Sequence, residues 1–296
     1  MLKAGLIGYG YWGKILEKYL IQSVDFNLEA IHTSQKHQLK VEEVEDFKNL
    51  GIEAVFIAAP TSEHYKLSKQ VLEMGMHVFC EKPFIRLNEV QELVNIAKSQ
   101  QKSFYVNYIY LQSKSVKKFV ELCREEKEQE FFDAKIEQYG KFYEGENAMQ
   151  TLGSHLIAVL ASIYKEDIDT KNIDYQKMDQ VARAEQLYWR ADSKKPNIRL
   201  VADLLSQRKE CVAKLVSKKS IITFTPKQEH KVSVYKRQNN GDLLLNDTFN
   251  FDEGNNINYA LSFFYETIST RNNVNNWAEV LKTTSILEKV EDERTG

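Results

Sequence analysis

The 296-residue sequence predicts two domains: an N-terminal α/β domain over residues 1–118, built on a doubly wound parallel sheet, and an α+β domain over 119–296, built on a mostly antiparallel open sheet. Three observations predict this. Up to about residue 110, short apolar runs alternate with amphipathic stretches of ten or more residues, the pattern of βαβ units. Gly8, Gly10 and Gly13 fall between the first such run and the first such stretch. Beyond residue 130, extended segments follow one another with turns between them, which favours antiparallel pairing.

Taken in order, Lys3–Ile7 is a short apolar strand, and Trp12–Ile21 is a helix with Ile15, Leu16, Tyr19 and Leu20 on one face. Leu28–His32, Ala54–Ala58, Val78–Cys80 and Ser103–Asn107 are the further strands of the first domain. Ser62–Met74 is a helix, with Gly75 as a natural stop, and Asn88–Ser99 is another. A helix over Ser113–Glu126 leads into the charged stretch Arg124–Glu130, read as a solvated turn between the domains. In the second domain the extended segments are Asp133–Gln138, Gln186–Arg190, Ile198–Leu204, Glu210–Val216, Ser220–Thr225 and Lys231–Tyr235. Thr151–Tyr164, Asn258–Thr270 and Ala278–Val290 are helical.

Composition narrows the function. Apolar residues make up 43% and charged residues 28%, a balance that supports a packed core. Forty basic and 42 acidic residues give a net charge of −2, so there is no positive field to attract nucleic acid or anionic lipid. No apolar run reaches the roughly 18–20 residues that span a bilayer, and the N-terminus runs directly into a strand, so the expected location is cytoplasmic. Cys80, Cys123 and Cys211 are widely spaced and odd in number, which fits neither a disulfide framework nor a metal site; no metal is expected.

The glycine pattern Gly8-Tyr9-Gly10-Tyr11-Trp12-Gly13 sits between a strand and a helix. In that context glycines allow a tight turn, close approach of a pyrophosphate to backbone N–H groups, and close helix-to-strand contact. Dinucleotide binding follows, with Gly8, Gly10, Tyr11, Trp12 and Gly13 forming the cradle. The acidic residue that receives an adenosine ribose belongs at the end of the second strand. Thr33 and Ser34 stand there, with Lys36 and His37 close by, so NADP(H) is favoured over NAD(H) unless Lys36 and His37 simply face solvent.

Ala58-Ala59-Pro60-Thr61-Ser62-Glu63-His64 follows the third strand on the same sheet edge. Ala59 and Pro60 are placed to pass beneath the cofactor, Thr61 or Ser62 suits a helix cap, and His64 either approaches the ribose or contacts the neighbouring helix. Glu81-Lys82-Pro83 ends the fourth strand, because proline cannot continue a ladder. Lys82 thus stands where open α/β sheets bind ligands, and burial there would tune it as an acid or base. Glu81 orients the loop or the cofactor amide. In the second domain, Thr151 and His155 share a helix face at i and i+4, which would let His155 meet Lys82 across the domain cleft.

With Gly8–Gly13, Ala59–His64 and Glu81–Pro83 in this order, the whole chain resembles the glucose-fructose oxidoreductase and inositol dehydrogenase superfamily, often called Gfo/Idh/MocA. The resemblance implies a Rossmann domain, a catalytic and substrate-binding role for Lys82 and a cis bond before Pro83. A later Asp-x-x-x-His motif falls on Thr151 and His155, making His155 the second catalytic residue. Threonine cannot serve as the carboxylate, so Lys82 or His155 acts alone, or Glu144 or Glu146 reaches in from the preceding loop. The resemblance further implies hydride transfer between NADP or NAD and a sugar; the Tyr-Trp-Gly ending is similar to members acting on nucleotide-linked sugars in polysaccharide pathways. It also implies a homo-oligomer, dimer or tetramer, formed through the second domain's sheet. The alternatives are a cofactor-binding protein without catalysis and a reductase of a non-sugar substrate, against which Lys82 speaks.

Overall fold

The computed structural model describes residues 1–33, 47, 49–140, 142–143, 146–164, 188–194, 197–252, 254–270 and 275–295. They form two compact units, Met1–Ile109 with Gly254–Thr284, and Tyr110–Glu253 with Ser285–Gly296.

The first unit begins with β1 (Leu2–Ile7), α1 (Tyr11–Ile21), β2 (Phe26–His32), β3 (Ala54–Ile57), α2 (His64–Glu73), β4 (His77–Glu81), α3 (Leu87–Ser99) and β5 (Phe104–Asn107). The five strands pair in the order β2-β1-β3-β4-β5, all parallel. Every residue of β3 and β5 is buried, as a sheet covered on both faces requires. Strand order reverses between β1 and β3, so the carboxyl ends of those strands, where Gly8 and Ala58 follow, open the crevice in which such sheets bind ligands. The Lys82–Pro83 bond is cis.

One local expectation is corrected here. Neither Thr61 nor Ser62 caps α2: Thr61–Glu63 is a 3₁₀ turn with no side-chain cap. Pro60 presets the turn, and the Glu63 N–H donates to the Pro60 carbonyl at 2.9 Å, so the backbone already supplies the acceptor a cap would provide.

The second unit contains α4 (Lys114–Glu125), β6 (Gln129–Tyr139), α5 (Ser154–Ile163), β7 (Tyr188–Lys194), β8 (Asn197–Asp203), β9 (Leu205–Ser217), β10 (Ser220–Phe224), β11 (Val232–Arg237) and β12 (Leu243–Phe249). Its sheet has the order β12-β11-β10-β9-β6-β8-β7 and is antiparallel except where β6 meets β8. Phe132, Ala134 and Ile136 alternate along β6 into one buried face, with Phe119 of α4 packing against Phe132 and Phe224. All ten residues of α5 are buried, which explains its nearly unbroken apolar sequence. The helix expected from Thr151 starts earlier, with a π-wound turn over Met149–Gly153. Strand β12 was not anticipated: Leu243, Leu244 and Leu245 are all exposed, so the alternation that marks a half-buried strand is missing. Gln186, expected in an extended segment, lies outside the described residues.

Two helices follow, α6 (Asn256–Ser269) and α7 (Trp277–Thr295). The sequence assigns both to the second domain, whereas α6 and the start of α7 pack into the first unit. Ile257, Ala260, Leu261 and Phe264 join the core of Leu6, Leu16, Phe26, Phe56 and Phe79. At the sheet's open edge, the Trp277 indole N–H donates to the Phe104 carbonyl at 2.7 Å and the Asn276 amide to the Val106 carbonyl at 2.7 Å. The two residues cover the free edge of β5.

Candidate functional site

The three glycines of the first turn are required for three different reasons. Gly8 has φ of +89°, and a Cβ there would lie 2.5 Å from the Ala58 carbonyl oxygen. A Cβ on Gly13 would collide with the Gly8 carbonyl oxygen. Gly8 and Gly13 thus close the turn on itself and on the β3 loop, which the Ala58 N–H fixes by donating to Ile7 O at 2.8 Å. Gly10 meets nothing within 4 Å, and no contact inside the chain demands a glycine there. It precedes α1, whose first turn carries no acidic side chain and whose N-cap makes no side-chain bond. Backbone N–H groups and the positive helix end therefore face a cradle that a Cβ would fill, the arrangement that suits a pyrophosphate. Tyr11 is exposed and Trp12 half-buried, their rings edge to face at 5.7 Å. Thr33 directly follows β2, as the ribose assignment needs, while Ser34, Lys36 and His37 lie outside the described residues.

His64 is buried, 2% exposed, with Nε2 at 2.9 Å from the Ala59 carbonyl and Nδ1 at 3.2 Å from the Pro83 carbonyl. Its ring also meets Phe84 at 5.8 Å. The ring stands between the Ala59-Pro60-Thr61 loop and the Glu81-Lys82-Pro83 loop, and in its neutral form its single N–H donates to one of these two carbonyls. Pro60 is exposed on the first of these loops, and Pro83 is buried in the second.

Glu81 is 4% exposed, and the Asn107 side-chain amide donates to its carboxylate at 2.8 Å. Burial pushes the Glu81 carboxyl up to about 7; the Asn107 hydrogen bond, the Lys82 ammonium and the Lys82 backbone N–H pull the other way. Lys82 itself is half-buried. A lysine is therefore placed at a strand end beside a buried acid that titrates near neutral pH, the perturbed chemistry typical of functional sites.

In the second unit, the turn before α5 is braced by a reciprocal pair. The Gln150 N–H donates to Asn147 Oδ1 at 2.9 Å and the Asn147 N–H to Gln150 Oε1 at 3.0 Å, a capping box with amides in both positions. Both side-chain amides also donate to the buried Glu291 carboxylate, each at 2.6 Å. Thr151 follows, its hydroxyl donating to Glu146 at 3.2 Å. Glu144 lies outside the described residues. His155 is buried with its ring 4.8 Å from that of Tyr110, edge to face. Tyr110 and Cys211 meet in the same pocket, and burial raises both, the thiol to about 12, so neither ionises at neutral pH.

Sequence reasoning missed Asn107, Asn276, Glu291 and Tyr110. Asn107 had a signal, a polar residue closing an otherwise apolar strand at the same sheet edge as Glu81. The other three carry none, because their partners are remote in sequence.

An oxidoreductase family with an NAD-binding Rossmann fold, GFO_IDH_MocA, matches residues 2–108. The oxidoreductase YdgJ of Escherichia coli is 35% identical over 109 residues, 33% of this chain and 32% of that protein. The Bacillus subtilis scyllo-inositol 2-dehydrogenase (NADP(+)) IolW is 29% identical over 106 residues, 32% of this chain and 30% of its own. The matches thus span about a third of these curated relatives. Among solved structures, UDP-N-acetylglucosamine 3-dehydrogenase GnnA of Acidithiobacillus ferrooxidans shares the fold with a TM-score of 0.78 at 13% identity, over 97% of this chain and 96% of that one. The dehydrogenase MviM of Clostridium difficile does so with a TM-score of 0.76 at 16% identity, over 99% of both chains. With the glycine turn and the Glu81-Lys82-Pro83 loop inside the match, residues 2–108 are a Rossmann domain of the Gfo/Idh/MocA oxidoreductase type.

Proposed function

We propose that the protein is an NAD(P)-dependent oxidoreductase that moves a hydride between the nicotinamide and a carbinol or ketone carbon of a sugar or nucleotide-linked sugar. The observation that carries this reading is the pairing of a glycine cradle, open only at Gly10, with a strand-end lysine beside the buried acid Glu81. Gly8, Gly10, Tyr11, Trp12 and Gly13 would hold the pyrophosphate. Thr33 and Ser34 would receive the adenosine ribose, with NADP favoured because neither is a carboxylate. Ala59, Pro60, Thr61 and Pro83 would form the cofactor's floor, with His64 holding their loops together and Glu81 orienting the amide end. The bound nicotinamide supplies the hydride chemistry.

The chain's own residues manage the alcohol. Lys82 and His155 handle the alcohol oxygen and its proton in this reading, Lys82 by charge and hydrogen bonding and His155 as the group whose ordinary pKa lies near neutral. The names of IolW and GnnA support a carbohydrate substrate. We further propose a homo-oligomer, assembled through the second unit's sheet. Among the described residues no helix is long and apolar enough to cross a membrane.

Absorbance at the reduced-nicotinamide band, followed with a panel of free polyols and nucleotide sugars, tests the reading. Turnover of at least one, reduced on the order of 100-fold or more in Lys82→Ala, is expected. Thr151 in place of an acid favours a second reading, a dinucleotide-binding protein without catalysis. That reading predicts binding without turnover, and no change in cellular function for Lys82→Ala.

A further inference from the structure

Helix α1 carries Tyr11, Lys14, Ile15 and Lys18 at i, i+3, i+4 and i+7, so one of its faces is aromatic, apolar and cationic at once. That face lines a groove of about 410 Å³ between α1 and the start of α6, which Trp12, Tyr19 and Ile257 complete. The volume lies in the range of small-molecule sites, and rings form most of the wall. Tyr19 is held in place: the Asn255 side-chain amide donates to its hydroxyl, while Asn255 Oδ1 accepts the Ile257 N–H at 2.8 Å as the cap of α6. The helix alone does not account for both lysines. Lys14 closes the first turn, where the helix end is already positive, and Lys18 stands four residues on, a like-charge spacing that disfavours a helix. Glu17, the acid at i+3 from Lys14, accepts the Tyr9 hydroxyl instead, at 2.6 Å. Among the described residues neither ammonium meets a carboxylate; Lys14 lies over the Tyr9 ring at 5.6 Å and Lys18 over the Tyr19 ring at 6.0 Å. Two exposed cations along a ring-lined groove suit a ligand with a flat ring system and adjacent phosphates. Lys18 stands roughly 10 Å along the helix axis from Tyr11, beyond the turn assigned to the dinucleotide.

We propose that this groove is a second nucleotide site, which takes a nucleoside diphosphate with its base on the rings and its phosphates on Lys14 and Lys18. A free nucleoside diphosphate and the nucleotide end of a nucleotide-linked sugar share this chemistry. The site is separate from the dinucleotide on the Gly8–Gly13 turn and goes beyond the hydride-transfer reading.

Calorimetric titration of the full-length protein with UDP and with ADP tests this, first alone and then with NADPH at saturation. At least one diphosphate is expected to bind saturably, once per chain, under both conditions. Lys18→Glu should weaken that binding on the order of tenfold or more and leave NADPH affinity unchanged. Tyr19→Leu, which keeps an apolar side chain but removes the ring, should weaken it as well. Lys66→Glu, the same charge change at an exposed position of α2, should alter neither. UDP-N-acetylglucosamine separates the two sources: it displaces the diphosphate where the groove serves a nucleotide-linked sugar and leaves it bound where the groove serves a free nucleotide. Absence of saturable binding for both diphosphates would overturn the proposal, as would binding that NADPH abolishes or that Lys18→Glu and Tyr19→Leu leave intact. If NADPH itself does not bind, the functional reading fails, and the titrations of Lys18→Glu and Lys66→Glu still decide the groove.

Discussion

The Asn107 amide donates to the Glu81 carboxylate at 2.8 Å where both side chains are buried, and this contact sets the charge beside Lys82. Without it the desolvated carboxyl would lose its first stabilising partner and move still higher. Asn107, together with the Lys82 ammonium and backbone N–H, thus keeps Glu81 within reach of ionisation at neutral pH.

Glu81→Gln should stabilise the protein at high pH. The carboxyl sits at about 7 in the folded chain, against an ordinary value of 4.5, so the native state binds the extra proton. Its contribution to stability therefore falls as pH rises from 4.5 to 7, by about 3 kcal/mol in total. Denaturant unfolding should show Glu81→Gln more stable than wild type at pH 8, with the difference vanishing near pH 4.5. A constant difference across that range would contradict the assignment.

His77 gives the opposite slope. Burial, reinforced by Lys102, lowers its imidazole to about 4, and its Nδ1 accepts the Ser103 N–H at 2.9 Å. The neutral ring contributes fully above pH 6.5 and loses about 3 kcal/mol as pH falls to 4. His77→Asn, which retains an acceptor but does not titrate, should flatten the acid limb of the stability profile between those values.

The glycines should separate folding from binding. Gly13→Ala forces a Cβ onto the Gly8 carbonyl oxygen and should destabilise the first unit by several kcal/mol, on the order of 3. Gly10→Ala meets nothing and should change stability by no more than about 1 kcal/mol. Its effect should appear in dinucleotide affinity instead, as a loss of roughly tenfold or more by calorimetry.

Phe264→Ala should cost about 3–5 kcal/mol. Phe264 is fully buried and meets Phe26, Phe56, Phe79 and Tyr105 at ring distances of 5.6 to 6.0 Å. Loss of dinucleotide binding on heating should shift with the unfolding of this variant, because α6 belongs to the core of the nucleotide-binding unit. An effect confined to the second unit, seen by limited proteolysis, would contradict that placement.

The parallel sheet was legible because its strands are short, apolar and separated by helical periods, so pattern and burial coincide. Strand β12 was not, because Leu243, Leu244 and Leu245 are exposed together and leave no alternation to read. Helix α6 could be read as a helix, but the chain gives no local sign that Phe264 packs among Phe26 and Phe56, more than two hundred residues away. The site was legible where chemistry is local: the glycine turn, the lysine before a proline, the histidine four residues past Thr151. It was illegible where one side chain sets another from a distance, as Asn107 does for Glu81 and Glu291 for Asn147 and Gln150. His64 lay between these cases, since its position was visible while its two carbonyl partners were not.

In the proposed function, residues 2–108 hold a nicotinamide dinucleotide on the turn at Gly8–Gly13. Titration of the folded protein with NADPH and NADH, read through quenching of tryptophan emission with Trp12 within that turn, tests it most directly. Saturable binding at one site per chain, tighter for NADPH and weakened in Gly10→Ala, is expected. Absence of saturable binding for both dinucleotides to folded wild type would contradict it.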